Sequence, residues 1–181
     1  DLRSGKQLLA MDQSHATFWK VDAKGKAGQI LSFENASVPC EVSFDATNGE
    51  AKLLFDWRQS DMHVNVQTRL KPGESLARSR MTIETKLGLQ TVTFPIVTGI
   101  VPLTEQGQQD RILASQRRGI TFQSPLVSKE PIKLAYPISM NLQMGALLGD
   151  GMGLYFGEED EQANEKYLSW TPDEAAGTLT Y

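Results

Sequence analysis

The stretch MHVNVQTRLKPGESLARSRMTIETKL, residues 62–87, decides the fold class of this chain. Apolar and polar side chains alternate over Met62–Leu70, and they alternate again in SRMTIET. A period of two is the pattern of a half-buried β-strand. The two runs are joined by KPGES, a Pro-Gly turn of hairpin length. We therefore expect an antiparallel hairpin whose core-facing side chains are Met62, Val64, Val66, Met81 and Ile83.

Similar short apolar segments recur along the rest of the chain. Upstream lie ATFWKV, GQILSF, CEVSFDA and AKLLFDW, with the turn-forming pair Asn48-Gly49 between the last two. Downstream lie LQTVTFPIVTGIV, GITF, SMNLQMGALL, GLYFG and KYLSW. Only EEDEQANEKYL, residues 158–168, has the composition of a helical turn or two. About a dozen strands exceed the usual size of one open sheet, so the sequence predicts an all-β, large two-sheet antiparallel sandwich with little helix.

Length and charge narrow the class of protein further. A chain of 181 residues fits one domain with one core, so we assign residues 1–181 to a single β-sandwich domain. The net charge is −4, and Lys and Arg are scattered along the chain instead of clustered, which argues against a nucleic-acid partner. No apolar run approaches the roughly 20 residues that cross a bilayer, so we expect no membrane span.

Histidine and cysteine are too few and too scattered to predict a metal site or a catalytic triad. The chain contains His15, His63 and a single cysteine, Cys40. Zinc sites need clustered ligands, and a triad needs a Ser marked out beside a His. His63 falls on the polar side of its strand, which predicts a solvated side chain, and the apolar neighbours of Cys40 predict a buried, inert thiol. We predict no catalytic residues, no metal and no cofactor.

An acidic cluster, Glu158–Glu161, follows the Gly-flanked strand GLYFG. Its spacing does not match a calcium-binding loop. Burying several like charges without cations costs several kcal/mol each, so we expect these side chains to stay hydrated at the end of the strand. Asp160 has two interpretations: a functional carboxylate, or a short side chain that bonds to its own backbone at a turn.

Three segments in the second half of the chain resemble a known family. They are VTFPIVTGIVPL, GQQDRILASQRRGITFQSP and LAYPISMNLQMGALLGDGMGLYFGEED. Their order and content are similar to the N-terminal β-sandwich domain of multidomain glycoside hydrolases of the α-galactosidase and endo-α-N-acetylgalactosaminidase kind. The matching residues are Phe94, Pro95, Gly99, Asp110, Gly119, Tyr136, Pro137, Gly153, Leu154, Tyr155, Gly157 and Asp160.

The resemblance implies a galactose-mutarotase-like sandwich, a β-supersandwich, that precedes a catalytic (β/α)8 barrel in a longer bacterial chain. It implies a non-catalytic module whose partner is that barrel, in the periplasm or outside the cell. The family usually has His where this chain has Glu159, so this loop departs from the family's pattern. The candidate substrate or domain-interface residues are Asp110, Arg117, Arg118, Tyr136 and Asp160.

Two other functions stay open. A free-standing carbohydrate-binding module would display aromatic side chains to sugar faces, and a sugar epimerase is suggested by fold analogy alone. For the module that docks on a barrel, we expect the segments 105–118 and 158–166 to line one side of the sandwich, because loops on a rigid scaffold usually carry binding groups. The aromatic candidates for sugar contact are Trp19, Trp57, Trp170, Tyr136 and Tyr155, of which we expect Trp57 and Tyr155 to lie in the core.

Overall fold

The computed structural model describes residues 7–10, 16–37, 39–47, 49–59 and 61–181. His15 and Asn48 lie outside these residues. Within the described residues, helix is confined to the short α-helix α1, Pro125–Ser128, and to 3-10 turns at Asn35–Ser37 and Glu105–Gly107. The strands are β1 Lys20–Lys24, β2 Ile30–Glu34, β3 Cys40–Thr47, β4 Glu50–Gln59, β5 Met62–Leu70, β6 Arg78–Thr85, β7 Gly88–Thr93, β8 Arg111–Ala114, β9 Ile120–Gln123, β10 Ile132–Tyr136, β11 Met144–Gly149, β12 Met152–Gly157, β13 Lys166–Asp173 and β14 Thr178–Thr180.

The described strands form antiparallel sheets, and the prediction of an all-β, sandwich-like chain with little helix is confirmed. The number of sheets differs from the prediction, because the strands divide into four sheets instead of two. The chain forms two compact units, each with its own buried cluster, where the sequence predicts one core. We call residues 16–96 the central unit, and residues 97–181 together with 7–10 the C-terminal unit.

The central unit contains the hairpin on which the fold prediction rests. β5 pairs with β6 from Met62 opposite Thr85 to Arg69 opposite Arg78, and the sheet order is β3-β4-β5-β6. The predicted core face is confirmed, since Met62, Val64 and Val66 are buried, and Met81 and Ile83 pack against them. Side chains of the second sheet, β2-β1-β7, complete this core; Trp19, just before β1, meets Trp57 of β4 edge to face at 5.7 Å.

The C-terminal unit is built on the same plan with a different connectivity. One sheet has the order β12-β11-β8-β9 and the other has the order β10-β13-β14. Their facing side chains form one cluster, in which Ile112 and Leu147 of the first sheet meet Leu168 and Trp170 of the second. Phe156 of β12 packs edge to face on Trp170 at 5.2 Å, so the aromatic contacts cross between the two sheets.

Three side chains or segments differ from their predicted environments. Cys40 is exposed; it is the first residue of β3, the outer strand of its sheet. Tyr155 is 50% exposed, because it alternates with the core residues Leu154 and Phe156 of β12. The predicted helical turns at 158–168 are absent: residues 158–165 form a loop, and Lys166 begins β13. Burial of Trp57 is confirmed.

Candidate functional site

Three connections meet at one end of the four-stranded sheet in the C-terminal unit. β8 ends opposite the start of β11, where Ala114 pairs with Gly145, and β12 ends beside the same start, where Gly157 pairs with Met144. Tyr136 at the end of β10 pairs with Lys166 at the start of β13. We call this the loop end; it comprises the turn 115–119, the loop 137–143 and the loop 158–165.

The carboxylate of Asp160 organises the loop that follows β12. It accepts hydrogen bonds from the backbone N–H groups of Gln162 and Asn164 at 3.0 and 2.9 Å, and from the Lys166 ammonium at 2.7 Å. The hydrogen bond from Lys166, followed by those from Asn164 and Gln162, lowers the pKa of Asp160 to about 2. Asp160 therefore bonds to the backbone of its own turn, which is one of the two interpretations of this residue. The sequence did not predict the contact with Lys166.

Lys166 joins several groups of the loop end. Its ammonium donates to the Gln143 side chain at 2.7 Å, lies 3.1 Å from a Glu158 oxygen, and sits 5.8 Å from the centre of the Tyr136 ring. Its side chain is only 13% exposed. Burial acts to lower the pKa of Lys166, but the hydrogen bonds to Asp160 and Glu158 outweigh it, so the pKa is raised and the lysine stays charged.

The arginine turn is fastened to the neighbouring loop. Asn141 donates from its backbone to Ser115 at 3.0 Å and from its side chain to the Arg117 carbonyl at 2.6 Å. The Ser115 hydroxyl donates to the carbonyl of Leu142 at 2.6 Å. Arg117 has a φ of 52°, which is unfavourable for a residue with a Cβ and is held in place by these bonds. The turn and the loop therefore form one supported surface.

This supported surface includes exposed apolar side chains on the loop and two exposed arginines on the turn. Ile138 is 74% exposed and Leu142 is 57% exposed. Arg117 and Arg118 are exposed on the adjoining turn. Burying side chains such as Ile138 and Leu142 against a partner is favourable, so this hydrogen-bonded loop is a candidate contact surface. Sequence reasoning identified the arginines and missed Ile138 and Leu142, although both lie in the segment LAYPISMNL.

Asp110 lies at the opposite end of the same sheet and is completely buried. Its carboxylate accepts from the backbone N–H groups of Leu103 and Thr104 at 2.9 and 2.8 Å and from the Thr104 hydroxyl at 2.7 Å. The segment 105–118 is therefore not one loop on one side, because β8 carries the chain across the sheet between Asp110 and the arginine turn. The structure brings together Arg117, Arg118, Tyr136 and Asp160, and it separates Asp110 from them.

His63 is engaged by two carboxylates on the polar face of the central unit. Its Nε2 lies 3.0 Å from an Asp56 oxygen, and its Nδ1 lies 3.2 Å from Glu84. Asp56, and then Glu84, raise the pKa of His63 above its usual 6.5, while His63 and Arg58 lower the pKa of Asp56. His63 therefore makes specific contacts, whereas the sequence predicts a merely solvated side chain. Strand alternation places Asp56, Arg58, His63 and Glu84 together on the polar face of the sheet. The acids flank opposite ring nitrogens, which suits an ion pair.

Aromatic exposure in the C-terminal unit is concentrated on tyrosines. Trp170 is 1% exposed, as is Trp19 of the central unit, so both belong to cores and not to a sugar-binding face. Tyr155, in contrast, extends its ring over Gly157, where an added Cβ would collide with the tyrosine hydroxyl. The glycine therefore provides the space in which the ring lies along the strand, with half of the side chain open to solvent.

Comparisons with known proteins do not assign the chain to a family. No protein family, curated protein or solved structure matches the chain. Among the residues that the structure describes, no group of three or more His, Cys, Asp or Glu side chains has a geometry that would hold a metal ion. None of the helices within those residues is long and apolar enough to cross a membrane.

Proposed function

We propose that this chain is a non-catalytic β-sandwich module of a glycoside hydrolase that packs on the catalytic domain through its loop end. The observation that carries the proposal is the exposure of Ile138 and Leu142 on a loop that is hydrogen-bonded to the turn carrying Arg117 and Arg118. The resemblance of the chain to the N-terminal sandwich of such enzymes supplies the nature of the partner. Tyr136 and Asp160, two of the residues that carry the resemblance, belong to the same end of the sheet.

The chemistry of the surface specifies what the partner presents. Burying a Leu or Ile side chain is favourable by about 1.5–3 kcal/mol, so Ile138 and Leu142 require an apolar depression on the partner. Arginine binds carboxylates through two parallel N–H donors, so Asp or Glu side chains are expected at the rim of that depression. The bonds from Asn141 and Ser115 fix the loop before docking, which reduces the entropy lost on binding.

The test compares the isolated chain with the longer natural chain to which we assign it. Ile138→Asp with Leu142→Asp should leave the melting temperature of the isolated chain within about 2 °C, because both side chains are already exposed. In the longer chain the same pair should lower the melting temperature or kcat/KM, and Arg118→Ala should do so more than Lys24→Ala.

Ile30→Asp is the matched control, since Ile30 is 60% exposed in the central unit. It should have no effect in either protein. Equal effects of the control and of the loop-end pair would contradict docking through the loop end. A longer chain without a catalytic domain would contradict the assignment to a glycoside hydrolase.

A free-standing carbohydrate-binding module is the second candidate, and Tyr155 favours it. A half-exposed ring that lies along a strand over Gly157 offers one aromatic face to the apolar face of a pyranose. Titration of the isolated chain with oligosaccharides, followed by NMR, tests this candidate. Saturable shifts that disappear in Tyr155→Ala would favour the binding module, whereas unchanged spectra at millimolar sugar would exclude it.

A further inference from the structure

In the larger sheet of the central unit, one part of the face that carries the core is buried and another part is exposed. Val42 and Phe44 of β3 are 59% and 64% exposed, and Leu53, opposite Phe44 on β4, is 38% exposed. These side chains are on the same face as the buried Trp57, because Cys40, Val42 and Phe44 alternate along β3 and Cys40 pairs with Trp57. We call Val42, Phe44 and Leu53 the β3 edge patch.

The backbone beside the patch specifies the kind of structure that covers it. β3 is the outer strand of its sheet, and no other described strand pairs with its free edge. An outer strand offers a row of N–H and C=O groups to another extended chain. The patch and this edge are adjacent, so one added β-strand would satisfy the backbone groups and place its own side chains beside Val42 and Phe44.

The charged residues on β3 indicate which kind of strand would pair with its free edge. On the face opposite the patch, β3 carries the acids Glu41 and Asp45. The other outer strand of the same sheet, β6, carries Arg78 and Arg80 on that same face and Met81 and Ile83 on the core face. On the face opposite the patch, β6 therefore has two basic residues, Arg78 and Arg80, towards its start and the acid Glu84 towards its end, where it contacts His63, and on the core face it has apolar residues as β3 does.

We propose that β6 of a second copy of this chain adds to the free edge of β3 and continues the sheet from one copy to the next. β3 and β6 run in opposite directions within the sheet, so the added strand is antiparallel. The cross-strand rows already present set the register. The row Asp45, Lys52, Arg69, Arg78 continues into Asp45 of the next copy, and the row Val42, Phe55, Val66, Met81 continues into Val42.

This register pairs the two edges favourably. Asp45 is directly opposite Arg78 of the second copy, which within its own chain pairs with Glu74. Glu41 is opposite Thr82 and diagonal to both Arg80 and Glu84, so the attraction between the edges is concentrated at the Asp45 end. Val42 meets Met81 on the apolar face. Acids on β3 disfavour pairing with another acidic edge, so the same charges that attract β6 limit indiscriminate association. Joining two different edges gives an open, head-to-tail assembly whose size depends on concentration.

Disulfide trapping tests the register directly, because Cys40 is the single cysteine and is exposed. In the proposed register Cys40 is opposite Ile83 of the second copy, and directly opposite Cβ atoms are about 4.5–5.5 Å apart, close enough for a disulfide after small adjustment. Within one copy the two positions are three strand spacings apart, about 14 Å. Oxidised Ile83→Cys should therefore form disulfide-linked dimers and longer chains.

Ser79→Cys is the matched control, on the same face of β6 but opposite Phe44 in the proposed register. It should cross-link at least about tenfold more slowly. Mass spectrometry of oxidised Ile83→Cys should identify a disulfide between positions 40 and 83, and adding Cys40→Ser to that variant should abolish it. Equal cross-linking at positions 79 and 83 would overturn the register.

Sedimentation equilibrium of the unmodified chain provides a readout that does not depend on the cysteines. Association should weaken at least about tenfold in Phe44→Lys and in Arg80→Glu, each checked by far-UV circular dichroism for a folded β structure, and Leu89→Lys should leave it unchanged. A strictly monomeric chain at millimolar concentration, or association that persists in both edge variants, would overturn the proposal. These outcomes do not depend on the proposed function, which concerns the C-terminal unit.

Discussion

At the scale of single residues, Asp110 is a structural carboxylate. Three donors of one loop, the N–H groups of Leu103 and Thr104 and the Thr104 hydroxyl, converge on it, and it is fully buried. Gly149 leaves room for it, because a Cβ there would lie 2.8 Å from an Asp110 oxygen. The resemblance singled out this position, and the structure gives a physical reason for an Asp there.

Asp110→Asn should therefore destabilise the chain. One acceptor oxygen becomes an NH2 donor that faces N–H groups, so we expect a loss of about 2 kcal/mol in the free energy of unfolding. Urea denaturation followed by tryptophan fluorescence measures it. Asp150→Asn, an exposed neighbour in the β11–β12 turn, is the control and should stay within about 0.5 kcal/mol. Equal stability of the two variants would contradict this role of Asp110.

Asp160 links stability to acid pH. Its pKa is lowered from the usual 3.8 to about 2 in the folded chain. A group whose pKa falls on folding stabilises the fold above its unfolded pKa, and that stabilisation is lost as pH falls through the folded pKa. We expect the contribution of Asp160 to disappear between about pH 4 and pH 2.

Asp160→Asn should flatten this part of the stability profile, measured by urea denaturation from pH 2 to pH 6. Glu161→Gln, an exposed change in the same loop, should leave the profile of the unmodified chain in place. If Asp160→Asn does not alter the profile, the contact between Asp160 and Lys166 does not contribute to the free energy of unfolding.

At the scale of elements, β5 is an inner strand of the central unit with one face buried in the core. It lies between β4 and β6, and Val66 is 0% exposed. Val66→Asp would bury an unpaired charge and should cost about 4 kcal/mol or prevent folding. Leu70→Asp, at the end of the same strand where the side chain is 45% exposed, should cost less than about 1 kcal/mol. Thermal denaturation separates the two, and similar losses would contradict the assigned core.

The segment 158–168 shows how tertiary pairing overrides local preference. Its acids at the start are suited to a helical turn, but Tyr167 and Leu168 pair with Ala135 and Leu134 of β10. Leu168 is thereby buried in the core of the C-terminal unit, at 1% exposure. Burial of one leucine and the backbone bonds of β13 outweigh the small preference of a short helix.

At the scale of the whole molecule, we expect the isolated chain to have no glycosidase activity. Glycoside hydrolysis needs two carboxylates placed across the scissile bond, and the two carboxylates among the candidate residues, the buried Asp110 and the lysine-bound Asp160, are committed to structural contacts. Purified chain should not release nitrophenol from aryl α- or β-glycosides above the rate without protein. Turnover that is lost on replacing a single Asp or Glu would refute this expectation.

The sequence by itself determined the strand class, the β5–β6 hairpin and its core face. Period-two alternation around a Pro-Gly turn is local information, and local information is sufficient for these features. It also identified Tyr136, Asp160, Arg117 and Arg118 as candidates. Only the tertiary structure decided that the strands divide between two units, that Asp110 lies away from the other four, and that Lys166 is the partner of Asp160. These features depend on which distant strands pair and in which register, and no residue pattern within one segment carries that information.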